Sequence, residues 1–341
     1  MIVANFYHIK STNGLFFYGR EYLLENIDLV RSILVRPELE PKIREMLPDI
    51  NLVSCSRVRF LIEIFKACLK RDLIYTPTPH SLPFISRQWI VVHDSYPFVF
   101  GSKSNLKRIL LKWSLSLSQC RVGYINRSDA RQFVVSLGVN NDRMIFAPNK
   151  FPESVSRVPC IDFPHGFTTI GLMGTDSSKK NYYELFSAVR YAKLTSRLIF
   201  RVLGHDTAYF RDIRSQFPDI RIDLAKSDDE SIDDFTGRVE IIASVSEHEG
   251  FGRPLASALL AGVPVKLLDR PVFREFFRGG AHFYSDIDSL VQSLSLSSEL
   301  NVARIPFTPP SEVLDAYLMA TSEARRFGST NLEVRPSRHT S

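Results

Sequence analysis

Two α/β domains, each a parallel sheet with helices on both faces, are predicted by three observations. The first is length: 341 residues exceed the roughly 250–300 at which a single core stops growing. The second is an alternation of short β-branched or aromatic runs with helical stretches, which is set up once in each half of the chain. Continuous apolar strands separated by helices mark parallel sheets covered on both faces. The third is composition: 44% hydrophobic residues, 23% charged residues and 25 Phe can fill two large cores and exclude a largely disordered chain.

In the first half, strands are expected at 1–7 (MIVANFY), 32–36, 50–55, 73–77, 89–93 (WIVVH), 122–125 and 144–148, each rich in β-branched or aromatic residues. Helices are expected between them, at about 20–28, 40–47, 57–71, 104–119 and 128–137. From Pro152 to Pro164 periodicity is lost among Pro and Ser, which predicts an interdomain linker. The second half restarts with a strand at 168–174 and a helix at 181–193, where Leu185, Val189 and Ala192 share a face. Strands follow at 197–204, 221–225, 239–246, 264–269 and 282–285. The acidic stretch 227–234 is expected as a solvated loop leading into a helix, and 254–262 as a small-residue helix closed by Gly262. A further helix starts at Asp286. The expected domains are 1–155 and 156–310, then a closing helix at 311–328 placed to cross back to the first domain and a flexible tail at 329–341. The organisation is Rossmann-like in both halves.

Charge is uneven. Residues 1–150 hold 21 Lys+Arg against 12 Asp+Glu, a net of +9, and the remainder holds 22 against 25, a net of −3. A basic half points to an anionic partner. Nucleic acid is disfavoured, because no basic strip interleaved with aromatics and no recognition-helix motif is present. No apolar run reaches 18 residues and no secretory signal opens the chain. Cys55, Cys68, Cys120 and Cys160 show no C-x-x-C spacing, which suits reduced thiols in a cytoplasmic protein and no zinc site.

The segment SEHEGFGRPLASALLAGVPV, 246–265, carries the clearest chemistry. A strand passes through a glycine-flanked turn into a helix starting near Arg253–Pro254, where Pro suits the first turn. Gly250 and Gly252 leave the amides from Gly250 through Phe251 and Arg253 to Leu255 open to an anion at the helix N-terminus. Glu249, just before, can accept from hydroxyls. A plain turn with glycines for packing is the competing reading. Lys179 and Lys180 follow the Gly174–Thr175 turn at a helix start, where cations are unfavourable unless they serve an anion. His93–Asp94 ends an apolar strand, the place where open α/β sheets bind ligands. Gly14 is read as the first strand–helix turn.

These segments together resemble the retaining glycosyltransferases of the GT-B fold, family 4. E-G-F-G-x-P-L with the following small-residue helix and G-x-P-V resembles their signature. VVHDSYP (91–97), INRSDARQFVVSLGVNNDRMIFAPN (125–149), GLMGTDSSKKNYYELFSAV (171–189) and DRPVFREFF (269–277) are similar to further family segments, in the family's order. The resemblance implies two Rossmann-like domains with parallel sheets facing across a cleft. It implies a metal-independent retaining transferase with no cofactor, moving a sugar from a nucleotide-sugar donor to a glycan or lipid-linked acceptor in cell-surface polysaccharide synthesis. Catalytic roles fall on His93 and Glu249. Donor contacts fall on Gly14, Gly174, Lys179, Lys180, Gly250, Phe251, Gly252, Arg253, Pro254, Leu255 and Ser257. The chain departs from the family at Ser257, where E-x₇-E would place a second Glu for the ribose. A serine offers one hydroxyl and no charge-assisted, bidentate acceptor. A catalytically weak or inactive relative serving as a binding subunit is the alternative.

In helix 104–119, Leu106, Ile109, Leu110, Trp113 and Leu117 fall at i, i+3, i+4, i+7 and i+11, with Lys103, Lys107, Arg108 and Lys112 beside them. Two readings stand open: the stripe packs on the sheet and the basic face is solvated, or the helix lies on an anionic membrane as a peripheral attachment at the cytoplasmic face. Segment 57–71 carries the same ambiguity.

Overall fold

A computed structural model describes residues 1–100, 103–152, 166–295 and 307–329. The chain divides into two compact units: Met1–Lys150 with the C-terminal helix from Ser311, and Phe151–Pro310. The expected linker falls almost wholly, and the expected tail all but Ser329, outside the described residues.

The first unit runs β1 (Ile2–Asn5), α1 (Gly14–Leu24), β2 (Val30–Val35), α2 (Glu40–Met46), β3 (Leu52–Ser54), α3 (Arg57–Leu69), β4 (Leu73–Thr76), β5 (Gln88–Val92), α4 (Tyr96–Val99), α5 (Ser104–Ser118), β6 (Arg121–Tyr124), α6 (Ala130–Ser136) and β7 (Met144–Phe146). Its seven strands are parallel, in the order β3-β2-β1-β4-β5-β6-β7. The second unit runs β8 (Thr168–Met173), α7 (Tyr182–Tyr191), β9 (Leu198–Gly204), α8 (Ala208–Gln216), β10 (Arg221–Lys226), α9 (Ile232–Gly237), β11 (Ile241–Ser244), α10 (Arg253–Leu260), β12 (Val265–Leu268), α11 (Pro271–Phe277), β13 (His282–Tyr284) and α12 (Ile287–Ser295). Its six strands are parallel, in the order β10-β9-β8-β11-β12-β13. In each sheet the order reverses once, between β1 and β4 and between β8 and β11. Within each unit the switch point opens a crevice at the carboxyl ends of that unit's own strands.

The last helix, α13 (Ser311–Ser329), belongs to the first unit. Tyr317 stacks edge-on against Tyr22 of α1, with centroids 5.0 Å apart. The Met1 ammonium donates to the Gly328 carbonyl at 2.9 Å, and Arg325 pairs with Asp28. Tyr75 and Trp89 fill the sheet face beneath α1. The opposite face carries Ile74 under α3, and Ile90, Val92 and Val122 under α5 and α6.

Three local features depart from the expectations. The first helix spans Gly14–Leu24 rather than about 20–28, because the Asn13 side chain caps it by accepting from the Leu15 amide. α8 and α11 form where no helix is expected. α8 has a Thr207 cap but only Phe210 and Ile213 buried, too few to show a period in a polar stretch. α11 reads as an aromatic loop, yet Pro271 starts it and Val272, Phe273, Phe276 and Phe277 are all buried. Third, α5 does not pack its sequence-evident stripe on the sheet. Leu111, Ser114, Leu115 and Ser118 face inward, and Leu106, Ile109, Leu110 and Trp113 are exposed. Ser114 allows a close approach and donates to the Ser81 carbonyl at 3.0 Å.

Candidate functional site

The loops after β8 and β11 meet at the switch point of the second sheet. After β8 the chain turns at Gly174, whose φ is +88°, through a single 3-10 turn at Ser178–Lys180 and into α7. A Cβ on Gly174 would stand 2.6 Å from Lys180 Cε. The left-handed backbone calls for glycine here, and the end of the Lys180 side chain lies across it. The Tyr182 hydroxyl fixes the turn by donating to the Gly174 carbonyl at 2.6 Å.

Lys180 reaches the second loop. Its Nζ donates to Glu249 Oε2 at 3.0 Å, with side-chain exposures of 14% and 19%. The loops also touch through main chain, the Glu247 amide donating to the Lys179 carbonyl at 3.2 Å. Burial by itself would push the Glu249 carboxyl up. The Lys180 and Lys179 ammonium groups, the hydrogen bond from Lys180 and the Gly250 N–H outweigh it and hold the group below its ordinary value. Asp176 stands at the same turn, its Oδ1 3.5 Å from where a Gly174 Cβ would lie, so two lysines and two carboxylates share this end of the sheet.

The turn into α10 places the remaining residues. Gly252 precedes the helix with φ +85°, where a side chain would be strained. Arg253 and Pro254 form the first turn, and no side chain caps it. Among the amides expected to be open, that of Gly250 faces the Glu249 carboxylate and that of Leu255 donates to the Gly252 carbonyl at 2.9 Å. The side chains of Phe251 and Leu255 are buried. Phe251 packs edge-on against Phe151 at 5.1 Å and Phe276 at 4.7 Å, so these two residues anchor the loop and offer a ligand only main chain. Ser257 is buried on the second turn of α10.

His93 and Gly14 lie in the first unit. Gly14 is exposed at the first position of α1, with no atom within 4 Å of where a Cβ would stand. His93 follows β5. Its Nε2 lies 2.9 Å from the Pro77 carbonyl, which only accepts, so the proton is on Nε2 and Nδ1 is the acceptor. Its ring meets Tyr18 edge-on at 4.7 Å. Burial pushes the imidazole down to about 4, against the upward pull of the Pro77 carbonyl. It is neutral at physiological pH.

That depression has a stability consequence with a definite sign. A histidine whose folded value lies below its unfolded value binds fewer protons when folded. Its contribution is full above about 6.5 and is lost as pH falls from there toward about 4. The melting temperature should therefore fall across that window, and His93→Gln should flatten the slope. A His93→Gln profile that overlays the wild type would contradict a buried neutral imidazole.

Sequence reasoning missed two groups. Asn126 is fully buried: its Oδ1 accepts from the Asp129 and Ala130 amides at 2.9 and 2.8 Å, and its Nδ2 donates to the His93 carbonyl at 3.3 Å. It fixes the main chain of His93, and the only sequence signal was an Asn three residues before an acid at a helix start. At the first unit's switch point, His8 after β1 and His80 after β4 stack with centroids 4.1 Å apart. Arg36 stands over the Tyr7 ring beside them. Burial, then His80 and Arg36, bring His8 down to about 4. The two histidines are far apart in sequence, with no spacing to link them. Among the described residues, no group of three or more His, Cys, Asp and Glu is arranged to hold a metal ion.

No protein-family model matches the chain, and no curated protein sequence matches it. Solved structures do. The Anabaena protein HepE, solved with UDP and glucose, superimposes with a TM-score of 0.70 at 13% identity, covering 98% of this chain and 99% of that one. A glycosyltransferase from Rickettsia africae gives a TM-score of 0.61 at 13% identity, with 98% and 97% covered. The lipopolysaccharide outer-core galactosyltransferase WaaB gives 0.56 at 13% identity, with 97% and 100% covered. Identities this low speak to architecture alone. Two all-parallel Rossmann-like sheets, matched over nearly the whole chain by these structures, give the protein the GT-B fold.

Proposed function

We propose that the protein is a retaining glycosyltransferase that takes a sugar from a nucleotide-sugar donor held by the second unit. The observation that carries this is the Lys180–Glu249 pair, half-sheltered at the switch point where the loops after β8 and β11 meet. A diphosphate supplies the anion that Lys179 and Lys180 are poised for, and the amides at the start of α10 face the same crevice. Once Lys180 turns to phosphate, Glu249 is released to accept from the sugar's hydroxyls. HepE, with the same fold, has been solved with UDP-glucose, which makes UDP-sugars the first donors to try.

In the reaction, the acceptor oxygen bonds to the anomeric carbon on the face that the diphosphate leaves. The carbon–phosphate-oxygen bond breaks, and the acceptor proton passes to the departing phosphate oxygen. Lys179 and Lys180 stabilise the charge that develops there, so no metal is called for. His93, neutral and with Nδ1 as acceptor, orients the donor sugar. The basic first unit takes the acceptor, a glycan or lipid-linked sugar of cell-surface polysaccharide synthesis on the cytoplasmic side, and the His8–His80 stack lies at its switch point. Ser257 leaves the ribose with a weaker partner than a carboxylate, which favours as a second reading a slow or inactive enzyme that keeps donor binding.

A thermal-shift screen against UDP-, GDP-, ADP- and dTDP-sugars tests the assignment. A ligand at a hundred times its Kd stabilises by about 2.7 kcal/mol, enough for a rise of several degrees. One donor class should raise the melting temperature, and no rise with any of the four would overturn the proposal. Donor hydrolysis by the purified protein then separates an active enzyme from the binding subunit.

A further inference from the structure

The first unit carries a surface that sugar transfer does not use. α3 buries Phe60, Ile64 and Ala67 against the sheet, yet Val58, Leu61, Ile62, Phe65 and Leu69 are exposed by 48 to 69%. α5 repeats the arrangement, with Leu106, Ile109, Leu110 and Trp113 exposed by 51 to 63%. Both stripes have the spacing i, i+3, i+4, i+7, and both turn away from the sheet.

The two helices lie on one face. The β4–β5 register pairs Ile74 with Gln88 and Thr76 with Ile90, so the Ile74 cluster under α3 and the Ile90 cluster under α5 share a side of the sheet. The loop between β4 and β5 joins them. Leu82 and Ile85 pack into the α3 cluster, and the Ser81 carbonyl accepts from Ser114 of α5. At its crest Phe84 is 75% exposed with φ +64°, a left-handed backbone that bulky side chains rarely adopt. Local structure holds an aromatic ring outward at a conformational cost, which points to use.

The surroundings are basic. Arg57, Arg59, Lys66, Lys70 and Arg71 flank the α3 stripe, and Lys103, Lys107, Arg108 and Lys112 the α5 stripe, all exposed. Glu63 is the acidic residue of α3 and is paired with Lys66 at 2.8 Å. From Leu73 through Ser128 the sole acidic residue in the sequence is Asp94. Apolar patches of this extent on a folded surface mark an interaction site. A second copy of the chain would set these cations against their own equivalents across a two-fold contact. An anionic bilayer satisfies both halves of the surface: apolar side chains enter the headgroup–acyl boundary, and Lys and Arg extend to the phosphates.

We infer that α3, Phe84 and α5 form one insertion surface that seats the first unit on an anionic lipid bilayer. This stands apart from the sugar-transfer reading, because binding is measured without donor or acceptor.

The sequence has two Trp, Trp89 fully buried and Trp113 56% exposed, so fluorescence reports insertion directly. With vesicles half phosphatidylglycerol and half phosphatidylcholine, Trp113 emission should move to the blue and be quenched by bromine-labelled acyl chains. Pure phosphatidylcholine should give little change. Replacing Lys103, Lys107 and Lys112 by Gln should weaken partitioning about fivefold per charge, roughly a hundredfold together, and the difference should vanish at high salt. Ile62→Ser with Phe65→Ser and Phe84→Ser should weaken partitioning at every ionic strength and leave the melting temperature unchanged, because these side chains lie outside the core. Absence of a shift with the acidic vesicles at low salt overturns the inference. So does a blue shift without lipid that grows with protein concentration alongside a dimer in sedimentation, which would assign the surface to a second copy.

Discussion

Replacing Lys180 by Ala is expected to lower the rate of sugar transfer by roughly 10²–10³, the scale for deleting one preorganised group that stabilises developing charge. Two further effects separate this from a general loss of structure. Glu249 loses its strongest cationic neighbour, so the upward push of its own burial is opposed only by Lys179 and the Gly250 N–H. The acid limb of the kcat/KM profile should therefore move to higher pH in the variant, because a protonated carboxyl no longer accepts from the sugar as an anion. If Lys179 and Lys180 supply the charge that a metal would, wild-type transfer should also persist in excess EDTA. Strict dependence on Mg²⁺ or Mn²⁺ would contradict this assignment of the lysines.

The second large effect is expected at Glu249. Glu249→Gln keeps the shape and removes the charge, and a charged hydrogen bond is worth about 1.5–3 kcal/mol. Transfer should fall by about a hundredfold, while the melting temperature stays close to the wild type because the amide oxygen of Gln can still accept from Lys180. Near-full activity in this variant would remove Glu249 from the site.

The strands were legible in the sequence because runs such as WIVVH are too apolar and too short for anything but a buried strand. The signature loop was legible as a strand–glycine turn–helix, and Lys180 and Glu249 stood out separately. That they touch was not legible. They are 69 positions apart, and only the reversal of strand order between β8 and β11 brings their loops together. The two short helices α8 and α11 stayed hidden for opposite reasons, one with too few apolar residues to show a period and the other with too many. Periodicity also could not say which side of α5 faces the sheet. The evident stripe and the buried stripe differ by part of a turn, and small Ser114 and Ser118 take the inner positions. Gly14 shows the reverse limit: its surroundings leave room for a Cβ, so packing within the first unit gives no reason for a glycine there.

The most direct test of the central claim is a calorimetric titration of UDP and of a UDP-sugar into the wild type, Lys180→Ala and Glu249→Gln. If Lys180 holds the diphosphate and Glu249 holds the sugar, Lys180→Ala should weaken both ligands alike. Glu249→Gln should weaken the UDP-sugar alone, and UDP should bind as well or more tightly once a carboxylate beside its phosphates is neutralised. Equal loss of both ligands in Glu249→Gln, or unchanged UDP binding in Lys180→Ala, would contradict the assignment of these two side chains to the two ends of the donor.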